Sequence, residues 1–249
     1  MITRMRGRAD IERVLVIAAH SDDEVLGCGG TIAAHTQKGD AVRVLFMTDG
    51  VGARAHQPQA GQSREKRTQE EGKTRQAMER ADASRRALTC LGVNDFSNLD
   101  FPDNRMDTVP LLEIAQTIES QVADFKPDVI YTHHGGDLNV NHRAVHEAVL
   151  TACRPQPGST VRRILAFEVM SSTEWRAPHP GSAFLPNWHQ DISATLNDKI
   201  GALKCYDEEV RLWPHSRSIK ALEYLARHRG ACIGVDAAEA FLCVRNIVV

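Results

Sequence analysis

Short apolar runs rich in β-branched residues alternate along the chain with longer segments whose apolar residues recur at helical spacing. Runs of the first kind are typical of strands that are covered on both faces. They predict strands at 13–19, 41–50, 96–101, 126–134 and 162–169. The segments between them predict helices at 29–40, 64–91, 109–125 and 141–153. Strand–helix–strand units make parallel pairs, so we expect an α/β fold with a doubly wound, mostly parallel sheet and helices on both faces.

The C-terminal part of the chain is less regular but carries the same kinds of segment. Helical spacing recurs at 198–206 and 218–230, and the apolar run at 240–249 predicts a final strand. Residues 51–63, rich in Gly, Ala, Gln and Pro, have no periodicity and predict a loop. Because no repeat or linker interrupts the pattern, we expect a single domain over residues 1–249.

Composition and charge exclude several classes of protein. The chain has 249 residues, of which 42% are hydrophobic and 25% charged, which argues against disorder. The formal net charge of −2 gives no reason to expect nucleic acid or an anionic membrane as a partner. No apolar run approaches the roughly 20 residues that span a bilayer, and the apolar stretch near the N-terminus is too short for a signal peptide. We therefore expect a cytoplasmic protein without stable membrane insertion.

The six cysteines are scattered along the chain and form no C-x-x-C pair. This spacing argues against a disulfide scaffold and against a cysteine zinc site. We expect free thiols, most of them buried.

Two predicted strand ends carry residues with metal-ligand chemistry. His20, Asp22 and Asp23 follow the first strand, and the histidine-rich segment 132–146 follows the fourth. In open α/β sheets, ligands bind beyond the carboxyl ends of the strands. Since His20 and Asp23 are three residues apart, one turn can aim both at the same point. A histidine from 132–146 would complete a set of two histidines and one carboxylate, which suits a hydrolytic zinc site with Asp22 as general base.

Each of these residues also has a structural explanation that the sequence leaves open. The acidic residues at 22–24 could cap the next helix or lie in its first turn, where they favour the helix dipole. His20 could be a hydrogen-bonded histidine at a strand end. His142 and His146 are one helical turn apart but lack the Glu of H-E-x-x-H, and the glycines at 27–30 lack the spacing of a nucleotide site. Two such clusters on neighbouring strand ends nevertheless favour a metal site.

The segment AAHSDDEVLGCGGTIA, residues 18–33, resembles the A-H-P-D-D-E signature of the LmbE/PIG-L-like zinc N-deacetylases, with Ser21 in place of the usual proline. The resemblance continues through TDG, CLGV, FPD, DLNVNH, DIS, KIGALKCY, PHSRS and RGACIGVDAAEAF, and so covers nearly the whole chain. It implies a single Rossmann-like domain and removal of the acetyl group from N-acetylglucosamine-type substrates. Such substrates include glycolipid precursors, thiol-cofactor precursors and antibiotic aminosugars.

The resemblance also implies roles for individual residues. His20, Asp23 and His142 would hold a Zn²⁺ cofactor. Asp22 would take a proton from water and then deliver it to the departing amine. His142, and not His146, corresponds to the third ligand of the family.

Two departures from the family pattern leave open which group polarises the acetyl carbonyl. Asn139 stands where the family often has a histidine, and Asn141 where it has an aspartate behind the ligand histidine. Asn139 can still donate a hydrogen bond to an oxyanion, although it cannot supply a proton, so we keep it as a catalytic candidate beside Asp137. Candidates for polarising the carbonyl are His133, His134, Asp137 and His215.

By the same resemblance, three residues are expected to contact the substrate. Asp103 matches a position that holds sugar hydroxyls, and Arg54 and His215 are further candidates for binding the sugar. The loops at 51–63 and 171–190 are expected to select the group that carries the acetylated sugar.

The sequence therefore predicts a zinc-dependent hydrolase that removes the N-acetyl group from an N-acetylglucosamine-type sugar or glycoconjugate, releasing acetate and an aminosugar. Two alternatives remain at this point. One is a metal-dependent amidase acting on a thiol conjugate or another amide, and the other is a non-catalytic sugar- or nucleotide-binding protein of the same fold. We expect a small-molecule substrate and no nucleic acid, and the resemblance favours a homo-oligomer.

Overall fold

The computed structural model describes residues 11–48, 63–177 and 181–248, together with their side chains except those of 63–74. The strands are β1 (Arg13–Ala18), β2 (Ala41–Phe46), β3 (Asp95–Asn98), β4 (Val129–His133), β5 (Arg163–Phe167), β6 (Trp188–Asp191) and β7 (Ala238–Asn246). The α-helices are α1 (Asp23–Lys38), α2 (Ser63–Cys90), α3 (Leu111–Phe125), α4 (Val140–Ala152), α5 (Leu196–Leu203) and α6 (Ile219–Ala231). Short 3₁₀ helices lie at Met106–Thr108 and Thr173–Trp175.

All of these strands join one sheet, in the order β3-β2-β1-β4-β5-β7-β6. Neighbours among β1 to β5 are parallel, whereas β7 runs antiparallel to both β5 and β6. The chain leaves β1 towards β2 on one side and places β4 on the other. The crevice at the carboxyl ends of β1 and β4 is therefore the topological switch point, where ligands bind in folds of this kind. The predicted α/β fold with a mostly parallel sheet is confirmed.

Alternate side chains of the central strand enter two different hydrophobic cores. Val14, Val16 and Ala18 pack with buried residues of α1, α2 and α5 on one face. Leu15 and Ile17 pack with buried residues of α3 and α4 on the other face. All five side chains are completely buried. This period of two explains why the β1 sequence is a continuous apolar run, and it confirms helices on both faces of the sheet.

Helix α1 begins at Asp23, earlier than the predicted start at Gly29. The acidic turn after β1 is thus part of the helix, with Asp23 and Glu24 in its first turn. Cys28 has non-helical backbone angles, φ −146° and ψ 24°, and divides the helix into two parts. The predicted start at Gly29 coincides with the second part, where apolar spacing at helical period first becomes visible.

The remaining differences lie at strand ends and at the far edge of the sheet. The predicted strand 41–50 ends at Phe46, and the last strand begins at Ala238 rather than at 240. No pattern of residues predicts β6, because its side chains are partly buried or exposed and do not alternate. Residues 51–62 of the predicted loop lie outside the described residues, and the domain extent of 1–249 stays a prediction.

The described cysteines are free, as their spacing predicts, but only Cys28 and Cys153 are buried, so the expectation that most of them are buried is wrong. Cys90 and Cys232 are exposed. Among the described helices, none combines the length and the apolar character needed to cross a bilayer.

Asp40 lies just after the C-terminal end of α1. Its carboxylate lies 2.7 Å from His35 Nδ1 and accepts a 2.9 Å hydrogen bond from the Glu12 N–H. Lys38 Nζ lies 3.2 Å from the same carboxylate and 3.6 Å from Glu12, so this cluster already contains a cation and does not call for a metal ion. Burial raises the pKa of Asp40, but the bonds from His35 and Glu12 outweigh burial and lower it.

We expect Asp40→Asn to reduce the free energy of unfolding at pH 7 by about 2 kcal/mol, because donors that now face a carboxylate would lose a charged acceptor. The pKa of Asp40 is lowered in the folded state, so its stabilisation is present above the unfolded pKa of about 4 and is lost as the pH falls through the folded value. Urea unfolding of wild type and variant should therefore differ at pH 7 and converge in acid. Exposed Asp107→Asn is the control and should change little at either pH.

Candidate metal and catalytic site

The switch point between β1 and β4 brings together three of the residues expected to bind zinc. His20 and Asp23 lie in the turn from β1 into α1, and His142 lies in the first turn of α4. Asp23 Oδ2 is 3.0 Å from His20 Nδ1 and 3.2 Å from His142 Nε2. The two ring nitrogens are 3.3 Å apart. The three donor atoms thus form a compact triangle.

This triangle fits a tetrahedral metal ion. Zinc lies about 2.0–2.2 Å from nitrogen and oxygen ligands, so two ligands of a tetrahedral site are about 3.3 Å apart. Asp23 Oδ1 is buried and has no hydrogen-bond partner among the described residues. Two histidines and one carboxylate are also a donor set that zinc enzymes use, with a position left for water. The residues present therefore fit the metal that the sequence predicts.

Asp103 lies behind His20. Its Oδ1 is 2.9 Å from His20 Nε2, and Asn141 Nδ2 donates to the same oxygen at 3.4 Å. Burial lowers the pKa of His20, but Asp23 and Asp103 outweigh burial and raise it to about 10. The carboxylate fixes the ring so that Nδ1 faces the other donors, an orienting contact typical of metal-bound histidine. The predicted contact of Asp103 with sugar hydroxyls stays a prediction.

Asp137 lies behind His142 and not in a position to act on a substrate carbonyl. Its Oδ1 is 3.0 Å from His142 Nδ1, and the side chain is completely buried. Ser172 Oγ and Thr173 Oγ1 donate to its two oxygens. Burial raises the pKa of Asp137, but these bonds outweigh burial and lower it to about 2. An ionised carboxylate with both oxygens engaged orients His142, which argues against Asp137 as the group that polarises the carbonyl.

The two asparagines that depart from the family pattern have structural partners. Asn139 caps α4, because its Oδ1 accepts a 2.8 Å hydrogen bond from the Asn141 N–H. Its Nδ2 donates one of its two N–H groups to Asn104 Oδ1 at 3.3 Å, and the expected contact of this amide with an oxyanion stays a prediction. Asn141 Oδ1 accepts from the Met106 N–H at 3.1 Å and holds the 3₁₀ turn against α4. The carboxylate that contacts His142 Nδ1 belongs to Asp137 and not to position 141, which the sequence analysis does not predict.

Asp22, the expected base, lies beside the three donor residues in a left-handed backbone conformation, with φ 114°. Such a φ is rare for a residue with a side chain and is stabilised here by neighbours. The Asp22 N–H donates to Glu24 Oε2 at 3.0 Å, and Tyr206 donates to Glu24 Oε1 at 2.7 Å. Glu24 is fully buried, and these two hydrogen bonds show that it braces the turn.

Arg217 is the partner of Asp22 that the sequence analysis did not single out. Its Nη1 lies 2.8 Å from Asp22 Oδ2 and 3.2 Å from Glu209, and its Nε donates to Ser171 Oγ at 2.6 Å. Burial raises the pKa of Asp22 to about 6, although Arg217 opposes this shift. The guanidinium thus holds the carboxylate in one orientation.

His215 is exposed and lies near this cluster, but not in it. Its Nδ1 accepts a 3.0 Å hydrogen bond from the Arg217 N–H, and its ring meets Trp175 edge-on at 6.0 Å. Arg217 lies in the segment PHSRS, which is one of the segments that resemble the family, so this resemblance could have pointed to it. The residue of this segment that contacts Asp22 is Arg217, two positions after His215.

The other histidines of the second cluster are engaged elsewhere. His133 Nε2 accepts from the Ala19 N–H at 2.8 Å, and its ring stacks on His142 with centroids 3.9 Å apart. His134 Nε2 lies 3.0 Å from the Ser182 carbonyl. His146 Nδ1 lies 2.8 Å from the His133 carbonyl. These contacts argue against His133 and His134 as groups that polarise a carbonyl.

Arg54, a candidate for binding the sugar, lies outside the described residues.

Comparison with known proteins identifies relatives of this chain. A family model described as PIG-L: GlcNAc-PI de-N-acetylase matches residues 15–153, more than half of the chain. The uncharacterized deacetylase YaiS of Escherichia coli K12 is 31% identical over 198 residues, which cover 77% of this chain and 88% of that protein. Diacetylchitobiose deacetylase of Thermococcus kodakarensis is 25% identical over 244 residues, covering 89% and 82%.

Solved structures share the fold. The N,N'-diacetylchitobiose deacetylase of Pyrococcus horikoshii superimposes with a TM-score of 0.71 and 19% identity, over 95% of this chain and 85% of that one. At this identity the likeness shows the fold alone. Together with the family match over residues 15–153, it leads to one conclusion: the chain is an enzyme of the PIG-L (LmbE-like) deacetylase family.

Proposed function

We propose that this protein is a zinc-dependent hydrolase that removes the N-acetyl group from an N-acetylglucosamine-type sugar or glycoconjugate. The observation that carries the proposal is the donor triangle of His20, Asp23 and His142, with sides of 3.0, 3.2 and 3.3 Å, beside the Asp22 carboxylate. Membership of a deacetylase family supports the reaction. The name of the Thermococcus relative, diacetylchitobiose deacetylase, supports an acetylated sugar as substrate.

The chemistry divides between the metal and this chain's own residues. His20, Asp23 and His142 would hold the zinc ion, which when bound would lower the pKa of water towards about 7 and polarise the acetyl oxygen. Asp22 accepts the proton of the attacking water on its carboxylate and then gives it to the nitrogen as the C–N bond breaks. Arg217, 2.8 Å away, keeps that carboxylate turned towards the site. The products are acetate and a free amine.

The remaining polar residues position the groups that react. Asp103 holds the ring of His20, and Asp137 holds the ring of His142. Each contact occupies the ring nitrogen that faces away from the triangle, so the other nitrogen is directed towards the metal. The proposed mechanism therefore assigns no step to Asn139.

We expect the zinc-loaded protein to release acetate from an N-acetylated aminosugar and to lose this activity when a chelator removes the metal. The measurement is an acetate assay over a panel that includes N-acetylglucosamine, N,N'-diacetylchitobiose and amides without an acetyl group. Asp22→Asn should lower turnover at least about 100-fold, because proton transfer is lost, while the metal content stays that of wild type.

Release of an amine without acetate would instead identify an amidase for other acyl groups. A metal-free protein without hydrolysis would favour a binding protein, and full activity of Asp22→Asn would remove Asp22 from the mechanism.

We expect His142→Ala to lose zinc, because the deletion leaves two protein ligands of three. His146→Ala is the matched control, since His146 lies one turn further along α4 and contacts the His133 carbonyl. Metal analysis after dialysis should find zinc in the control but not in His142→Ala. If His146→Ala lost zinc and His142→Ala kept it, the third ligand would be wrongly assigned.

A further inference from the structure

At the break in α1, two charged side chains from other elements supply hydrogen-bond partners to the backbone. In a continuous helix the Gly30 N–H would donate to the Leu26 carbonyl, four residues earlier. Here the Gly30 N–H donates to Glu239 Oε1 at 2.9 Å, and the Leu26 carbonyl accepts from Lys199 Nζ at 3.0 Å. The two backbone groups that the break at Cys28 separates are thus both satisfied from outside the helix.

Glu239 and Lys199 also contact each other, and Glu239 binds a second backbone group of α1. Glu239, on β7, also accepts from the Thr31 N–H at 2.7 Å, so its carboxylate caps the second part of α1. Lys199, on α5, contacts Glu239 Oε1 directly. Both residues are only 4% exposed, and burying charges this deeply requires that each be paired and hydrogen-bonded.

Close packing holds the two parts of α1 against different neighbours. A Cβ added at Gly27 would lie 2.3 Å from the Phe167 ring, so the first part presses on the end of β5. A Cβ added at Gly30 would lie 2.7 Å from Ile192, in the segment that leads into α5. Thr195 Oγ1 donates to the Gly30 carbonyl at 2.8 Å. Because α1 is kinked at Cys28, the direction of its first turn is set separately from that of its second part.

That first turn carries Asp23, and Asp22 directly precedes it. We propose that Lys199 and Glu239 are positioning residues of the active site, which set the direction of the first turn of α1 and thereby the placement of Asp22 and Asp23. Neither residue touches the donor triangle. The inference rests on the proposed function, because it assigns the pair to the metal and the base of that reaction.

The first test is Glu239→Gln together with the double variant Lys199→Met/Glu239→Gln. The amide cannot accept from both backbone N–H groups, and the methionine cannot donate to the Leu26 carbonyl. The double variant leaves no lone buried charge, so it keeps the test open if the single variant does not fold. We expect the affinity for Zn²⁺, measured by competition with a chelator, to fall about tenfold or more. We expect kcat to fall about tenfold while KM changes less than about threefold, since the remote substrate contacts remain.

Asp40→Asn is the matched control, because it removes a buried, hydrogen-bonded carboxylate at the opposite end of the same helix. It should lower the thermal midpoint without changing zinc affinity or kcat by more than about twofold. Wild-type zinc affinity and kcat in the double variant would overturn the inference. Equal losses in Asp40→Asn would overturn it as well, because general destabilisation would then explain both.

Hydrogen exchange separates this inference from the proposed function. The amides of residues 23–27 should exchange faster in the double variant than in Asp40→Asn, and this readout requires neither metal nor turnover. If wild type bound zinc but released no acetate, the proposed function would fail while the zinc affinities still decided the inference. If wild type bound no zinc, exchange alone would decide it, and unchanged protection of residues 23–27 would overturn it.

Discussion

The buried carboxylate of Asp23 is the group on which the organisation of the site depends. It is completely buried, and one of its oxygens lies within 3.0 and 3.2 Å of two histidine nitrogens. Burial raises the pKa of Asp23, but His142, His133 and His20 outweigh burial and hold it well below its usual range. A charge that cannot reach water must be compensated by its surroundings, and here three histidine rings converge on it. Asp23, His20 and His142 are also the donors of the proposed metal site.

The sheet explains why the compensating groups arrive at one place. Adjacent parallel strands β1 and β4 end at the same edge, so the turn into α1 and the start of α4 meet there. Two further carboxylates, Asp103 and Asp137, lie behind the histidines, and Arg217 lies beside Asp22. The fold supplies the positions, and this outer layer of charged side chains supplies the orientation.

The features that could be predicted are those that short segments of the sequence determine by themselves. The buried strands were visible as apolar runs, and His20, Asp23 and His142 were visible as ligand types at two strand ends. Contacts between distant segments were not visible: Arg217 lies 195 positions from Asp22. The start of α1 was missed because Asp and Gly are weak helix formers, and tertiary packing overrides their preference. The four residues of β6 carry no periodic pattern that could have revealed an edge strand.

The central claim is that His20, Asp23 and His142 bind one metal ion. Anomalous diffraction at the zinc edge, from crystals of the protein grown with Zn²⁺, tests it most directly. We expect one strong peak about 2.0–2.2 Å from His20 Nδ1, an Asp23 oxygen and His142 Nε2. A peak at another cluster, such as that of Glu12, His35 and Asp40, with none at this triangle, would contradict the account.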